Sequence, residues 1–211
     1  KMPSGTLYEV DMRLRPSGNS GMLVSTLKAF SHYQQKEAWT WEHQALVRTR
    51  VVAGNTALAQ QFAEVRQSVL CKPRDIAQLK LDVTEMRQKM RNQLGSKNKE
   101  SQAGQFHIKQ DAGGIVDIEF IVQYLVLANA HQYPELIEYS DNIRILGVIG
   151  RCGLLTEGQI TALVESYKTL RSHSHKLALQ QNNNQQSHKV NGAEFEGLRQ
   201  VVLEVWQRLF D

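Results

Sequence analysis

The feature that most constrains the fold is an apolar stretch of sixteen residues, 115–130. Apolar side chains would cover almost every side of a helix with this sequence, which Asp117, Glu119 and Gln123 interrupt. A helix that is apolar all round is buried, and this one is shorter than the ~20 residues of a membrane span. The sequence therefore predicts a central helix enclosed by other helices.

The flanking sequence predicts those other helices. Apolar residues recur at helical spacing, and capping residues such as Asn55, Asp75, Ser140 and Thr156 mark where helices begin. The predicted helices cover residues 26–36, 39–47, 55–70, 75–95, 140–153, 156–177 and 193–210. Residues 106–109 are expected to be extended, and the polar stretches 96–104 and 180–192 are expected to be loops.

Composition narrows the class of protein. With 211 residues, 41% hydrophobic and 22% charged, the chain falls in the globular class. Neither a signal peptide nor a membrane span is expected from the sequence, and its two cysteines fit a reduced cytoplasmic protein better than a disulfide framework. The net charge of +4 is mild and spread out, so neither a nucleic-acid partner nor a membrane partner is indicated.

A different pattern precedes the helices. Residues 7–14 alternate between apolar and polar, which predicts a half-buried strand with Glu9, Asp11, Arg13 and Arg15 on one face. A carboxylate can hold Mg²⁺ and an arginine can grip phosphate oxygens, so this face suits a nucleoside triphosphate. The alternative is an exposed strand face with simple charge pairing.

This strand and three later segments closely resemble the glutamine synthetase adenylyltransferases. The resembling segments are Tyr8-Glu9-Val10-Asp11-Met12-Arg13-Leu14-Arg15-Pro16-Ser17-Gly18, Gly21-Met22-Leu23-Val24, Ala38-Trp39-Thr40-Trp41-Glu42-His43-Gln44-Ala45-Leu46-Val47-Arg48 and Gly113-Gly114-Ile115-Val116-Asp117-Ile118-Glu119-Phe120. The similarity runs from Leu7 to about Phe210 and is weaker beyond Tyr139. The sequence around Trp39 and Trp41 is similar to that of the C-terminal half of the family, which attaches AMP.

The resemblance implies a fold and an activity. The expected fold is mainly α: the end of an α/β nucleotidyltransferase domain in residues 1–70, followed by a C-terminal helical bundle in residues 71–211. The implied activity is Mg²⁺-dependent transfer of AMP from ATP to a tyrosine of glutamine synthetase, which regulates nitrogen assimilation. The implied partners are glutamine synthetase and a PII signalling protein.

One departure from the family pattern concerns the acids. Enzymes of this superfamily use an Asp-x-Asp pair and a third aspartate, but none of the seven aspartates here are two residues apart. The chain is therefore expected to be a fragment whose paired aspartates lie upstream of Lys1, and to be inactive in isolation. Two alternatives remain: a non-catalytic docking module for glutamine synthetase or PII, and, with less support from residues 39–48, a uridylyltransferase-like relative.

Asp11 would be the third carboxylate, either as a Mg²⁺ ligand or as the base for the attacking hydroxyl. Arg13 and Arg15 would bind the triphosphate or keep Asp11 ionised. The resemblance leaves both alternatives open.

Lys109, Gly113 and Gly114 form a second candidate nucleotide site, because backbone N–H groups at a helix start bind anions. Asp117 and Glu119 follow in the same helix, ~200° apart, so they cannot both face one metal. They are interpreted mainly as partners of the helix dipole or of buried arginines.

The aromatic cluster of Trp39 and Trp41 could stack on adenine, although aromatics two residues apart usually divide between core and surface. His43 is interpreted as a hydrogen-bonded helix residue rather than a base.

Overall fold

The computed structural model describes residues 15–95, 104–180 and 189–211 of the chain. Within these ranges the protein is mainly α, as predicted, with eight α-helices and one small sheet. The helices are α1 (Leu27–Lys36), α2 (Thr40–Val47), α3 (Thr56–Leu70), α4 (Ile76–Leu94), α5 (Ile115–Asn129), α6 (Asn142–Arg151), α7 (Glu157–Gln180) and α8 (Glu196–Phe210), and the strands are β1 (Gln105–His107) and β2 (Lys189–Asn191). The predicted strand over residues 7–14 lies outside the described residues.

Helix α5 is the centre of the bundle, as its apolar sequence predicts. Thirteen of its fifteen residues are buried, and α2, α4, α6, α7 and α8 all pack against it. Burying one large aliphatic side chain contributes about 1.5–3 kcal/mol, so the burial around α5 is the main hydrophobic contribution to this fold. None of the helices in the described ranges is long and apolar enough to cross a membrane.

Most helix starts follow the predicted capping residues. The side chain of Asn55 accepts hydrogen bonds from two backbone N–H groups of α3, and Asp75 accepts one from Gln78 at the start of α4. Thr156 and Gln159 bond each other reciprocally at the start of α7, which is the predicted capping box. These side chains satisfy amides that the first turn of a helix leaves without partners.

One predicted cap is wrong by a residue. The cap of α6 is Asp141 rather than Ser140: the Asp141 carboxylate accepts a hydrogen bond from the backbone N–H of Arg144 at 3.0 Å. The same carboxylate also pairs with the Arg144 guanidinium. Both residue types are good caps, and only the tertiary path of the chain decides which one takes the position.

The sequence predicted one of the two strands of the sheet. The extended segment expected over residues 106–109 appears as β1, which pairs antiparallel with β2 so that Phe106 faces Val190. Strand β2 lies inside the polar stretch that was expected to be a loop, and three residues are too few to show an alternating pattern. A 3₁₀ turn, Gly192–Phe195, also replaces the predicted first turn of the last helix. There the Phe195 ring packs on Phe106, with 6.1 Å between centroids.

Contacts cross the predicted domain boundary at residues 70 and 71. Helix α2 packs against both α4 and α5. The guanidinium of Arg66 on α3 donates to the backbone carbonyls of Leu46, Val47 and Ile137. Burial lowers the pKa of Arg66. The division into residues 1–70 and 71–211 stays a prediction.

The cap of α6 can be tested by paired substitutions. Asp141→Ala should lower the free energy of unfolding by about 1 kcal/mol, because the first turn of α6 loses an N–H acceptor. Ser140→Ala should change it by less than about 0.5 kcal/mol. Urea denaturation at pH 7 measures both, and a larger loss for Ser140→Ala would contradict the assignment.

Candidate functional site

The polar centre of the protein is Asp117, in the first turn of α5. Its side chain is wholly buried and contacts two arginines that lie one turn apart on α4. Arg87 Nε donates to Asp117 Oδ1 at 2.5 Å, and Arg91 Nη2 donates to Oδ1 and Oδ2 at 3.0 and 2.9 Å. The interpretation of Asp117 as the buried partner of arginines is confirmed.

Arg87 is as buried as Asp117, with 1% of its side chain exposed. Burial lowers the pKa of Arg87, and the Asp117 carboxylate opposes that shift. Arg87 Nη2 donates to the Gln110 carbonyl at 2.7 Å, so the guanidinium also holds the segment that precedes α5. The Phe120 ring lies 5.9 Å from its central carbon. This arginine joins α4, α5 and the turn between β1 and α5.

Asp117 also shapes the Gly113-Gly114 turn. The backbone N–H of Gly113 donates to Asp117 Oδ2 at 2.7 Å, and the amides of Gly114, Ile115 and Val116 donate to the carbonyls of Asp111, Ile108 and Lys109. The sequence-based hypothesis has amides of this turn binding an anion, whereas here they have partners within the protein. The nucleotide-binding role of Lys109, Gly113 and Gly114 stays a prediction.

Gly113 has φ of +80°, and a Cβ added there would lie 2.9 Å from Cα and Cβ of Arg199. A Cβ added at Gly114 would lie 2.6 Å from the Ile108 carbonyl oxygen. The first glycine is therefore required by both backbone conformation and space, and the second by space alone. Close packing inside the protein accounts for the Gly-Gly sequence.

Glu119 points to the other side of α5, as the ~200° separation predicts. Arg48 Nη1 at the end of α2 donates to Glu119 Oε1 at 2.6 Å. The Tyr167 hydroxyl on α7 donates to the same oxygen at 3.2 Å and accepts from Asn142 and Arg171. Glu119 is thus also a partner of an arginine, and its network joins α2, α5, α6 and α7.

A cavity of about 270 Å³ lies beside this network. Its wall includes Lys109 from the turn after β1, Val116 from the first turn of α5, and Arg171, Ser174 and His175 from α7. Arg171 Nη2 lies 3.3 Å from His175 Nε2. An arginine can only donate, so His175 accepts at Nε2 and carries its proton on Nδ1 when neutral.

His43 is hydrogen-bonded, as interpreted from the sequence. Its Nε2 lies 2.8 Å from the Gln34 carbonyl oxygen and its Nδ1 lies 3.2 Å from Arg74 Nη1. Burial lowers the pKa of His43, which favours the neutral ring that these partners require. Nearby, 71% of Trp39 and 37% of Trp41 is exposed, and stacking of either ring on adenine stays a prediction.

Two residues of the predicted triphosphate site, Asp11 and Arg13, lie outside the described residues. Arg15 is described, and its Nε donates to the Gly21 carbonyl at 3.3 Å across the turn that follows the predicted strand. Within the described ranges, no group of three or more His, Cys, Asp or Glu residues could hold a metal ion.

Sequence reasoning did not identify the arginines that pair with Asp117 and Glu119. A signal was present for Arg87 and Arg91, which are four residues apart and therefore share a helix face. No such signal exists for Arg48, because 71 residues separate it from Glu119 along the chain.

Removing the charge of Asp117 tests the buried pair. Asp117→Asn should lower the free energy of unfolding by about 3–5 kcal/mol, because Arg87 is left buried without a counter-charge. Glu119→Gln is the matched control, and it should cost about 1 kcal/mol, since Arg48 is 34% exposed. Urea denaturation measures both, and equal losses would show that burial of the pair does not set the cost.

The Gly113 turn is tested by a pair of glycine substitutions. Gly113→Ala should cost at least about 2 kcal/mol, because its left-handed backbone and its contact with Arg199 both disfavour a Cβ. Gly158→Ala in α7, with no atom within 4 Å of the added carbon, should stabilise the protein by up to about 1 kcal/mol. Thermal unfolding decides: a neutral Gly113→Ala would remove the structural explanation of this turn.

Comparison with known proteins identifies the family. A family model described as glutamate-ammonia ligase adenylyltransferase matches residues 1–65, and one described as GlnD PII-uridylyltransferase matches residues 84–203. The chain is 50% identical over 207 residues to the bifunctional glutamine synthetase adenylyltransferase/adenylyl-removing enzyme of Acinetobacter baylyi. It is also similar to the same enzyme of Pseudomonas aeruginosa, at 50% over 215 residues, and of Mannheimia haemolytica, at 52% over 206 residues.

Each of these alignments covers 98% of this chain but only 21–22% of the relative. The chain thus spans about a fifth of the length of the curated relatives it matches. The chain belongs, through residues 84–203, to the family described as GlnD PII-uridylyltransferase, and over 98% of its length it is homologous to a segment of the bifunctional glutamine synthetase adenylyltransferase/adenylyl-removing enzymes.

Proposed function

We propose that this chain is part of an enzyme that transfers AMP from ATP to a tyrosine of glutamine synthetase and so regulates nitrogen assimilation. The observation that supports this most directly is 50–52% identity over 98% of the chain to proteins named for that activity. The adenylyltransferase family model also matches residues 1–65, which include Asp11, Arg13 and Arg15.

The proposed chemistry is a single displacement. The tyrosine oxygen of the target forms a bond to the α-phosphorus of ATP, the bond from that phosphorus to the pyrophosphate oxygen breaks, and the phenolic proton leaves. In this proposal Asp11 accepts the proton or holds Mg²⁺, and Arg13 and Arg15 bind the triphosphate. Mg²⁺ would neutralise phosphate charge.

Asp11 is the residue of this chain proposed to bind the metal, as the family resemblance implies. The two acids of α5 have other partners, since Asp117 and Glu119 are engaged with Arg87, Arg91 and Arg48.

The helices have a supporting part in the proposal. Asp117 and Arg87 hold the turn that carries Lys109, Gly113 and Gly114, the residues proposed to lie near the nucleotide. Arg48 connects α2 to α5 through Glu119. Positioning of this kind is most of what a protein contributes to phosphoryl chemistry.

The proposal includes partners and a compartment. Glutamine synthetase is the proposed acceptor and a PII signalling protein the proposed regulator. The cytoplasm is the proposed compartment, in keeping with Cys71 and Cys152, which are both free thiols.

A specific observation favours a second candidate. The PII-uridylyltransferase model matches residues 84–203, more than half of the chain. Under that alternative the enzyme would transfer UMP from UTP to PII. The adenylyltransferase match over residues 1–65 and the names of the relatives favour the first proposal.

The test places this chain in a complete enzyme. It replaces the matched segment of the Pseudomonas aeruginosa relative, and transfer of labelled AMP from ATP to glutamine synthetase is measured with and without Mg²⁺. Asp11→Asn should lower the turnover at least ~100-fold, the usual scale for a lost acid-base or charge-stabilising group. Transfer from UTP to PII, measured in parallel, tests the second candidate.

Glu165→Gln, on the exposed face of α7, is the control for loss of a carboxylate and should leave turnover unchanged. Circular dichroism confirms that each variant is folded. Unchanged turnover in Asp11→Asn would make Asp11 a structural residue and this chain a scaffold or docking surface. UMP transfer without AMP transfer would replace the proposal with its alternative.

A further inference from the structure

We infer that the cavity between the β1–α5 turn and α7 binds a phosphate group, held by Lys109 and Arg171. Lys109 is a candidate from its sequence position, and the new element is Arg171, which lies 62 residues away in the chain and faces the same cavity. The inference rests on the geometry of the cavity and needs no transfer of AMP.

The first argument is charge. Lys109 and Arg171 line the cavity, and Glu119 is the one carboxylate in its wall among the described residues. Glu119 is already neutralised by Arg48 at 2.6 Å. Neither Lys109 nor Arg171 forms an ion pair with another described residue. Among the described residues, the cavity wall therefore carries two positive charges that no carboxylate pairs with.

The second argument is how the cations are held. Arg171 Nη1 donates to the Tyr167 hydroxyl at 3.1 Å and Nη2 contacts His175 at 3.3 Å. Neither partner is a carboxylate, so these contacts orient the guanidinium without compensating its charge. Lys109 is half-buried, and its backbone carbonyl accepts from Val116 at 3.2 Å, so the residue is tied to the start of α5. The two cations belong to elements whose positions the bundle determines.

The third argument is the position of the cavity at the N-terminal end of α5. Ile115 and Val116, the first residues of α5, line the cavity, so the positive end of the α5 dipole faces it. The amides of these residues already donate to Ile108 and Lys109. A bound anion would therefore be held by the side chains of Lys109 and Arg171, with the dipole adding a favourable field. The anion would thus be bound by side chains, whereas the sequence predicts binding by backbone N–H groups.

Charge and size select the class of ligand. A phosphate monoester carries about −1.5 to −2 at pH 7, which matches two cations better than the single charge of a carboxylate. An arginine also binds phosphate oxygens through two parallel hydrogen bonds. A volume of about 270 Å³ holds a phosphate together with part of the molecule that carries it. Free phosphate, pyrophosphate and a nucleotide share this chemistry.

Calorimetric titration of the whole chain tests the inference. The probes are inorganic phosphate, pyrophosphate, AMP and ATP, with acetate as the carboxylate probe, all at one low ionic strength and without Mg²⁺. At least one phosphate probe should bind, and more tightly than acetate. The order of affinities distinguishes free phosphate from pyrophosphate and nucleotide.

Lys109→Gln and Arg171→Gln should each weaken that binding about tenfold or more, the effect of losing one charge-assisted hydrogen bond. Lys168→Gln, an exposed cation on α7 that pairs with Glu165, is the matched control and should keep the affinity. Equal affinity in all variants, an equal loss in Lys168→Gln, or no binding of any phosphate probe would overturn the inference.

Arg171→Gln also removes a partner of Tyr167 and could disturb the fold, so a second measurement avoids the variants. In the unsubstituted chain, the ring resonances of His175 should shift when phosphate is added, and those of the exposed His131 should not. Shifts at neither ring, or at both equally, would overturn the inference. These experiments measure binding alone. Their failure would overturn this inference without bearing on the proposed transfer reaction, which has its own assay.

Discussion

The rest of the structure depends on one buried ion pair, Asp117 with Arg87. Both side chains are almost completely removed from water, and a buried charge is tolerated only when it is paired and hydrogen-bonded. The carboxylate meets this requirement by binding Arg87, Arg91 and the Gly113 amide. These contacts connect helix α4, the turn after β1 and helix α5 at one point.

The same central helix organises the other side of the bundle through Glu119. Two acids that are two residues apart on a helix face different neighbours, so Asp117 contacts α4 whereas Glu119 contacts Arg48 on α2 and Tyr167 on α7. The two acids that interrupt the apolar sequence of α5 are therefore the residues through which the surrounding helices are held in place. The cavity lined by Lys109 and Arg171 lies beside Glu119.

Helices were the most predictable part of the protein, because local signals specify them. Asn55, Asp75 and Thr156 cap their helices as expected. Strand β2 and the choice of Asp141 over Ser140 were not predictable, since pairing with β1 and the path into α6 depend on distant residues. For the candidate site, sequence identified Lys109, Gly113 and Asp117 as neighbours in one segment. It could not supply Arg171, which only the packing of α7 brings there.

The sequence by itself determined a mainly helical chain built around residues 115–130, because an apolar helix of that length must be enclosed and local caps mark its neighbours. It also carried the family resemblance that the relatives confirm. Only the tertiary structure decided which arginines neutralise Asp117 and Glu119 and which cations share a cavity. Charge pairing acts over a few ångströms in space, and the sequence does not record which distant residues come within that range.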